Sequence, residues 1–139
     1  MNILRFLTPK SLVGYLYEDF TVRQALEKMH FHRHHAVPVI DREGKYIGAV
    51  SDVDFLWELF EKGDYDLRDL ERTPLADLVD RESNPAVSND KPITFLLERV
   101  KQNAFVPVVD DRGCFIGIVT RRDVINYFID DYLEKDKKY

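Results

Sequence analysis

Cysteine is almost absent from this 139-residue chain, with Cys114 standing alone. A single thiol permits no intramolecular disulfide and no cysteine-rich zinc site, which agrees with a reducing compartment, and Cys114 reads as a packed strand residue rather than a nucleophile. Long apolar runs are missing too. No stretch approaches the roughly 20 apolar residues needed to span a bilayer. The N-terminus, "MNILRFLTPKSLVGYLYEDF", lacks a signal peptide's charged start, long apolar stretch and small-residue cleavage site. The expected location is therefore cytoplasmic. Basic residues are outnumbered, 20 against 25 acidic, for a net charge of −5. Nucleic acid and anionic membrane both need a continuous basic surface, so neither is an expected partner. No glycine-rich loop of the P-loop type occurs, and no histidine base is set by spacing beside a hydroxyl, so no catalytic residue is assigned.

What the chain does contain is a repeat. Residues 37–54, "VPVIDREGKYIGAVSDVD", align without a gap on residues 106–123, "VPVVDDRGCFIGIVTRRD", and nine of the eighteen positions are identical. In the first copy these are Val37, Pro38, Val39, Asp41, Gly44, Ile47, Gly48, Val50 and Asp54. Each copy reads as a short β-rich run, a tight turn carrying glycine, and a returning strand. A helix follows each hairpin. In the first it has apolar residues at 53, 56, 57 and 60 and stops at Gly63, while the second puts Val124, Ile125, Phe128, Ile129 and Tyr132 on one face.

Another helix precedes each hairpin. Thr21 with Gln24 forms a capping-box pattern ahead of Val22, Leu26 and Met29. "NDKPITFLLERV" is expected to start at Asn89 or Asp90, with Pro92 in its first turn. Short strands are expected in "SLVGYLY" and "PLADLV…PAVS" ahead of those helices. The expected fold class is α/β of the α+β kind: two repeats, each strand-helix-strand-strand-helix, packed with pseudo-twofold symmetry. We divide the chain into repeat 1 at 1–63, a linker at 64–72 and repeat 2 at 73–139. One unit has too little sheet to stand unaided, and pairing two leaves related clefts between them.

The proline strand, the "D-x-x-G-x-h-x-G" hairpin and the "G-h-h-[ST]-x-x-D" end resemble the cystathionine β-synthase (CBS) domain family, and the tandem resembles a Bateman module of the small stand-alone bacterial type. The resemblance runs from about residue 7 to 129. It implies a regulatory receptor for an adenosine-containing ligand: AMP, ADP, ATP, S-adenosylmethionine or cyclic di-AMP. It also implies that Asp54 and Asp123 take ribose hydroxyls, that Ser51 and Thr120 reach phosphate, and that the backbone at Ala36–Val37 and Phe105–Val106 builds the adenine pocket. No cofactor is implied beyond the nucleotide itself, and family modules pair through their helices into homodimers.

The chemistry is consistent with that reading. A carboxylate accepts from two neighbouring hydroxyls, a helix N-terminus favours phosphate, and Arg121 and Arg122 add planar, permanently charged donors. The bland alternative is that Asp123 caps its helix and the arginines are solvated surface. The first copy has Asp52 and Val53 where the second has the arginines, so a polyanionic ligand should favour the second cleft, with Asp54 otherwise a helix cap. Removing both arginines should leave the fold intact. The run "HFHRHHAVP" holds four histidines in six positions, but no single period aims them at one ion. Arg33 and His35 stand either as phosphate contacts for the first cleft, by likeness to the energy-sensing subunits of eukaryotic AMP-activated kinase, or as a solvated loop. Tyr46, Phe105 and Phe115 are candidates for stacking on adenine, Phe105 foremost because it immediately precedes "VPVV", although aromatics in hairpin strands more often serve core or cross-strand packing. Nothing in the repeat leaves length for a further domain, so a ligand signal is expected to pass to a separate, unidentified protein. The runner-up reading is a structural dimerisation module with decayed sites.

Overall fold

The computed structural model describes residues 1–63 and 66–137. Among them the elements run β1 (Thr8–Pro9), β2 (Leu16–Tyr17), α1 (Val22–His32), β3 (Ala36–Ile40), β4 (Tyr46–Ser51), α2 (Asp52–Lys62), α3 (Leu67–Arg72), β5 (Val87–Ser88), α4 (Ile93–Gln102), β6 (Phe105–Val109), β7 (Phe115–Thr120) and α5 (Arg121–Asp136). Short 3-10 turns at Ile3–Phe6, Lys10–Leu12 and Leu75–Asp77 complete the order. One sheet runs β2-β3-β4 and the other β1-β7-β6-β5. The mixed class and the repeated order of elements are as expected from the alternating periods in the sequence.

The identities between the copies are explained by local physics. Asp41 Oδ1 accepts from the Glu43 and Lys45 N–H groups, and Asp110 Oδ1 does the same for Arg112 and Cys114, so each aspartate closes its own hairpin. Gly44 and Gly113 take φ of 89° and 80°, a left-handed turn position that a side chain disfavours. Pro38 and Pro107 sit in the middle strand of each hairpin sheet, but β2 and β5 pair only with the two residues that follow Val108's and Val39's preceding prolines, so neither proline is asked for a donor on that side.

Gly48 and Gly117 answer to a different constraint. Ala49 and Asp80 exchange backbone hydrogen bonds at 2.9 and 3.0 Å, and Thr8 pairs with Ile118 at the corresponding place on β7. A Cβ on Gly48 would collide with the Asp80 carbonyl, and one on Gly117 with the Thr8 carbonyl. Each copy thus lays its lead-in segment against the other copy's hairpin. The cores follow the same exchange. Ile3 and Phe6 pack with Val87, Leu96, Val106 and Val119 of the second copy, whereas Leu75 and Leu78 pack with Leu16, Val37, Val50 and Phe55 of the first. The hairpin tips also join, through Tyr46 N–H to Gly113 O and Phe115 N–H to Gly44 O, around the pseudo-twofold relation.

Several expectations shift. The Thr21–Gln24 capping box and the Gly63 cap are present. Helix α4 begins only after Pro92, because a residue before proline is pushed out of the helical region, and Asp90 is spent on the Ser88 hydroxyl instead. The linker contains a helix, α3, started by a capping box between Asp66 and Asp69; residues 64 and 65 of the linker lie outside the described residues. The apolar faces expected on α2 and α5 are largely uncovered. Only Phe55 of α2 and Val124 of α5 are buried; Val53, Leu56, Trp57 and Phe60, and Ile125, Phe128, Ile129 and Tyr132, are exposed. Helix α2 meets the core through Phe55, and α5 through Val124 and the partly buried Tyr127, which packs edge-on against Phe6, before each runs past it. No described helix is long and apolar enough to cross a membrane.

The exchange is testable. Ile3→Ala, in the first few residues of the chain, should cost about 2–5 kcal/mol in urea unfolding, because it opens the second copy's core. Gly117→Ala should cost about 1–3 kcal/mol, since backbone rather than a flexible side chain must yield. A loss below about 0.5 kcal/mol in both would show that the lead-in does not pack there.

Candidate functional site

The ends of β4 and β7 deliver the two "[ST]-x-x-D" motifs to helix N-termini. Ser51 precedes α2 and Thr120 precedes α5, each in extended backbone. Asp52 N–H donates to His35 O and Arg121 N–H to Ala104 O, so both helix starts are tied to the residue just ahead of the preceding strand. From here the copies diverge. Asp54 Oδ2 accepts from the Ser51 N–H at 2.8 Å and lies 3.1 Å from the Ser51 hydroxyl. Thr120 Oγ1 accepts from the Asp123 N–H at 3.1 Å, while the Asp123 carboxylate has no hydrogen bond or ion pair among the described residues. One acid is thus used locally as a cap. The other is exposed and free to take a partner.

The arginines are not equivalent either. Arg121 Nε donates to Val100 O at 2.6 Å and its Nη2 reaches Lys101 O at 3.4 Å, closing the C-terminal end of α4. Those carbonyls would otherwise lack partners. Arg122 is exposed, with no side-chain partner among the described residues. A paired grip on phosphate therefore has Arg122 available and Arg121 engaged. In the first copy the position of Arg121 holds Asp52, whose Oδ2 lies 3.0 Å from His35 Nδ1.

The cleft around the first motif has a volume of about 200 Å³. Of the residues singled out by sequence, it brings together Ala36, Ser51, Asp54 and Phe105, so its walls come from both copies. Val37 and Val106 are buried core residues that can offer a ligand backbone only. Sequence reasoning missed the rest of the wall: Asp80, Ser83 and Asn84, which hydrogen bonds join to the Asn103–Phe105 segment, together with Ala49, Val50, Asn103 and Ala104. The polar run "RESN", placed between two apolar segments, was the available signal. Hydrogen bonds from the Ser83 hydroxyl and from the Glu82 and Ser83 N–H groups hold the Asp80 carboxyl below its usual range. Two carboxylates and no basic side chain face this cleft.

Arg33 and His35 are not part of that wall. Two extra residues before β3 carry them outward; Arg33 caps α1 in the left-handed conformation, and both line a separate cavity of about 470 Å³ with His30, His34 and Asp52. Of the two readings left open for them, phosphate contacts in the first cleft are not what the geometry places there. No group of three or more potential metal ligands occurs among the described residues. Asp123 lines another cavity, of about 350 Å³, with Arg5, Thr8, Asn126, Tyr127 and Asp130, and Thr120 and Arg122 take no part in its lining. Tyr46 and Phe115 are packing residues, stacked 6.4 Å apart across the copies. Burial and then the Asp80 charge push the Tyr46 phenol up, and its hydroxyl donates to Asn84 O at 2.6 Å.

Comparison with known proteins agrees with this architecture. The family model described as "CBS domain" matches residues 9–61 and 73–130. A CBS domain-containing protein of Dictyostelium discoideum is 29% identical over 119 residues, covering 80% of this chain and 81% of that protein. Among solved structures, CBSX2 in complex with AMP is 26% identical, with a TM-score of 0.73 over 94% of this chain and 98% of its own. CbpB in complex with cyclic di-AMP superposes at a TM-score of 0.89 over 100% of this chain and 91% of its own, at 21% identity, a likeness of fold.

The unequal arginines give a prediction that differs from the sequence expectation for the pair. Arg121→Ala should lower stability by about 1–2 kcal/mol, since it strips charged donors from the end of α4. Arg122→Ala should stay within about 0.5 kcal/mol. Equal effects in chemical denaturation would mean that the α4 cap contributes nothing.

Proposed function

The chain belongs to the CBS domain family, and from that premise we propose that it is a regulatory module without catalysis of its own, which binds an adenine nucleotide between its repeats and signals to a separate protein. The observation that carries this reading is the pair of helix N-termini at Ser51 and Thr120, each tied by its backbone to the strand that flanks the inter-copy cleft. Backbone N–H groups at such a terminus, together with the helix dipole, suit a phosphate. The second motif is the better phosphate end. Arg122 is available for phosphate at the start of the 16-residue α5, and the free Asp123 carboxylate is left for ribose hydroxyls. AMP in CBSX2 and cyclic di-AMP in CbpB are what those similar proteins bind, and both carry the adenosine that this reading requires.

The uncovered apolar stripes of α2 and α5 support pairing with a second copy, because contiguous exposed apolar surface of this kind marks interaction sites. One observation favours the alternative of a structural module with silent clefts: Asp54 and Arg121 are both spent on helix ends.

Thermal unfolding with AMP, ADP, ATP, S-adenosylmethionine and cyclic di-AMP, each alone at equal concentration, separates the two readings. A ligand at a hundred times its dissociation constant should add about 2.7 kcal/mol, several degrees here. Asp123→Ala and Arg122→Ala should each reduce that shift. No shift with any compound would establish the structural reading in its place. Light scattering at micromolar concentration should report a dimer, and Trp57→Glu, in the middle of the α2 stripe, should weaken it; a monomeric wild type would contradict the pairing.

A further inference from the structure

The run "HFHRHHAVP" lies outside both "[ST]-x-x-D" motifs, yet part of it walls the cavity of about 470 Å³. That cavity belongs to the first copy alone. It is enclosed by α1, the stretch leading into β3 and the start of α2, and it shares no lining residue with the cleft at Ser51 and Asp54. Leu26, Met29 and Phe55 give it apolar walls, and His30, Arg33, His35 and Asp52 add polar ones. In the second copy the same place is closed, because Arg121 reaches back to the Val100 and Lys101 carbonyls. Small-molecule pockets have volumes of about 300–1,000 Å³ and combine apolar walls with a few convergent polar groups, and this cavity answers to both.

Arg33 stands there in a strained position. With φ 57° and ψ 37° it is the one non-glycine residue in the left-handed region among the described residues, whereas Asn103, which follows α4, is extended. Glycine, and less often asparagine, commonly ends a helix in this conformation. A long side chain held at a strained backbone position beside a cavity points to use rather than to packing. The Arg33 guanidinium has no hydrogen bond or ion pair among the described residues.

The charges on the lining select the ligand. Asp52 is the single acid, and its Oδ2 lies 3.0 Å from His35 Nδ1. The Met29 and His30 carbonyls at the end of α1 accept from the His34 and Arg33 N–H groups, so they call for no added cation. One permanently charged group is left over beside an apolar surface. A phosphate dianion would exceed that charge and lose hydration against Leu26, Met29 and Phe55, whereas a monoanion on an apolar body suits both. A thioether and a phenyl ring each make favourable contacts with an aromatic ring.

We propose that this cavity is a second ligand site, for a compact aromatic monocarboxylate, with Arg33 pairing the carboxylate and Met29 and Phe55 receiving the ring. The site is independent of the nucleotide reading, since none of Ser51, Asp54, Thr120 and Asp123 lines it.

Calorimetric titration of the full chain with 2-naphthoate, and with 2-naphthamide, which has nearly the same shape and no charge, tests this. The carboxylate should bind at least tenfold more tightly than the amide. Arg33→Gly separates binding from structure. Glycine adopts the left-handed position freely, so the thermal midpoint should stay near that of the wild type while the two affinities come within about threefold of each other. A retained preference in that variant, or equal affinities for the wild-type chain, would overturn the site. So would a naphthoate affinity that falls as protein concentration rises, which would mark the cavity as filled by a second copy. Saturating AMP should leave naphthoate binding unchanged, and competition between them would merge the two sites and remove this one. Naphthoate binding without AMP binding supports the cavity and removes the nucleotide reading; AMP binding without naphthoate binding does the reverse.

Discussion

The structure depends on one close approach, made twice. Backbone from Thr8 runs against Gly117, and backbone from Asp80 against Gly48, at distances no side chain would permit. Each hairpin alone is two strands plus a two-residue third, with one face to bury, and such a sheet is not stable by itself. The exchanged lead-ins supply both the missing edge and apolar residues such as Ile3 and Leu75, which are fully buried. The two copies are therefore one cooperative body, and the clefts between them are fixed by backbone pairing rather than by flexible contacts.

Within that symmetric frame the functional ends have drifted apart. The second copy uses a threonine hydroxyl to cap its helix, which leaves the Asp123 carboxylate unspent, whereas the first commits Asp54 to the cap. Arg121 fills the gap between the α4 C-terminus and the start of α5. Its counterpart Asp52 cannot donate to carbonyls, and the corresponding space in the first copy stays open as the histidine-lined cavity. A few substitutions thus change the charge at one helix start, the acid's availability at the other, and the shape of an unrelated cavity, with no change of fold.

Much of the fold was legible because its determinants are local. The Asp41–Gly44 and Asp110–Gly113 turns, the Thr21 cap and the Gly63 cap each depend on residues a few positions apart, and sequence spacing registers such dependence directly. The exchange of lead-in segments was not legible, since nothing about Ile3 says which copy's core it will enter. For the same reason the first cleft was half visible. Ser51 and Asp54 announce themselves by motif, but Asn84 matters only because folding sets it against Phe105 and Tyr46, residues 21 and 38 positions away. The role of Arg121 was hidden similarly: adjacency to Arg122 suggested a shared ligand, while the carbonyls of α4, distant in sequence, claimed one of the two.

Both "[ST]-x-x-D" ends and both uncovered apolar stripes lie on the same two helices, and under the proposed function this arrangement bears on how a bound nucleotide could be felt elsewhere. In α5 the free carboxylate of Asp123 stands two residues before exposed Ile125, and the stripe continues through Ile129 to Tyr132. At about 1.5 Å of rise per residue, a 16-residue helix carries any tilt at its start some 24 Å along its axis. It is anchored in the core only over its first two turns, by buried Val124 and by Tyr127 packed edge-on against Phe6 at 5.2 Å, so the remainder follows any displacement of that anchored end. A ligand that pulls on the α5 start, against the hold of Arg121 on α4, would change the angle at which the apolar stripe meets its partner. Coupling between cleft and interface then requires no relay through the sheets, because one rigid element has an end in each.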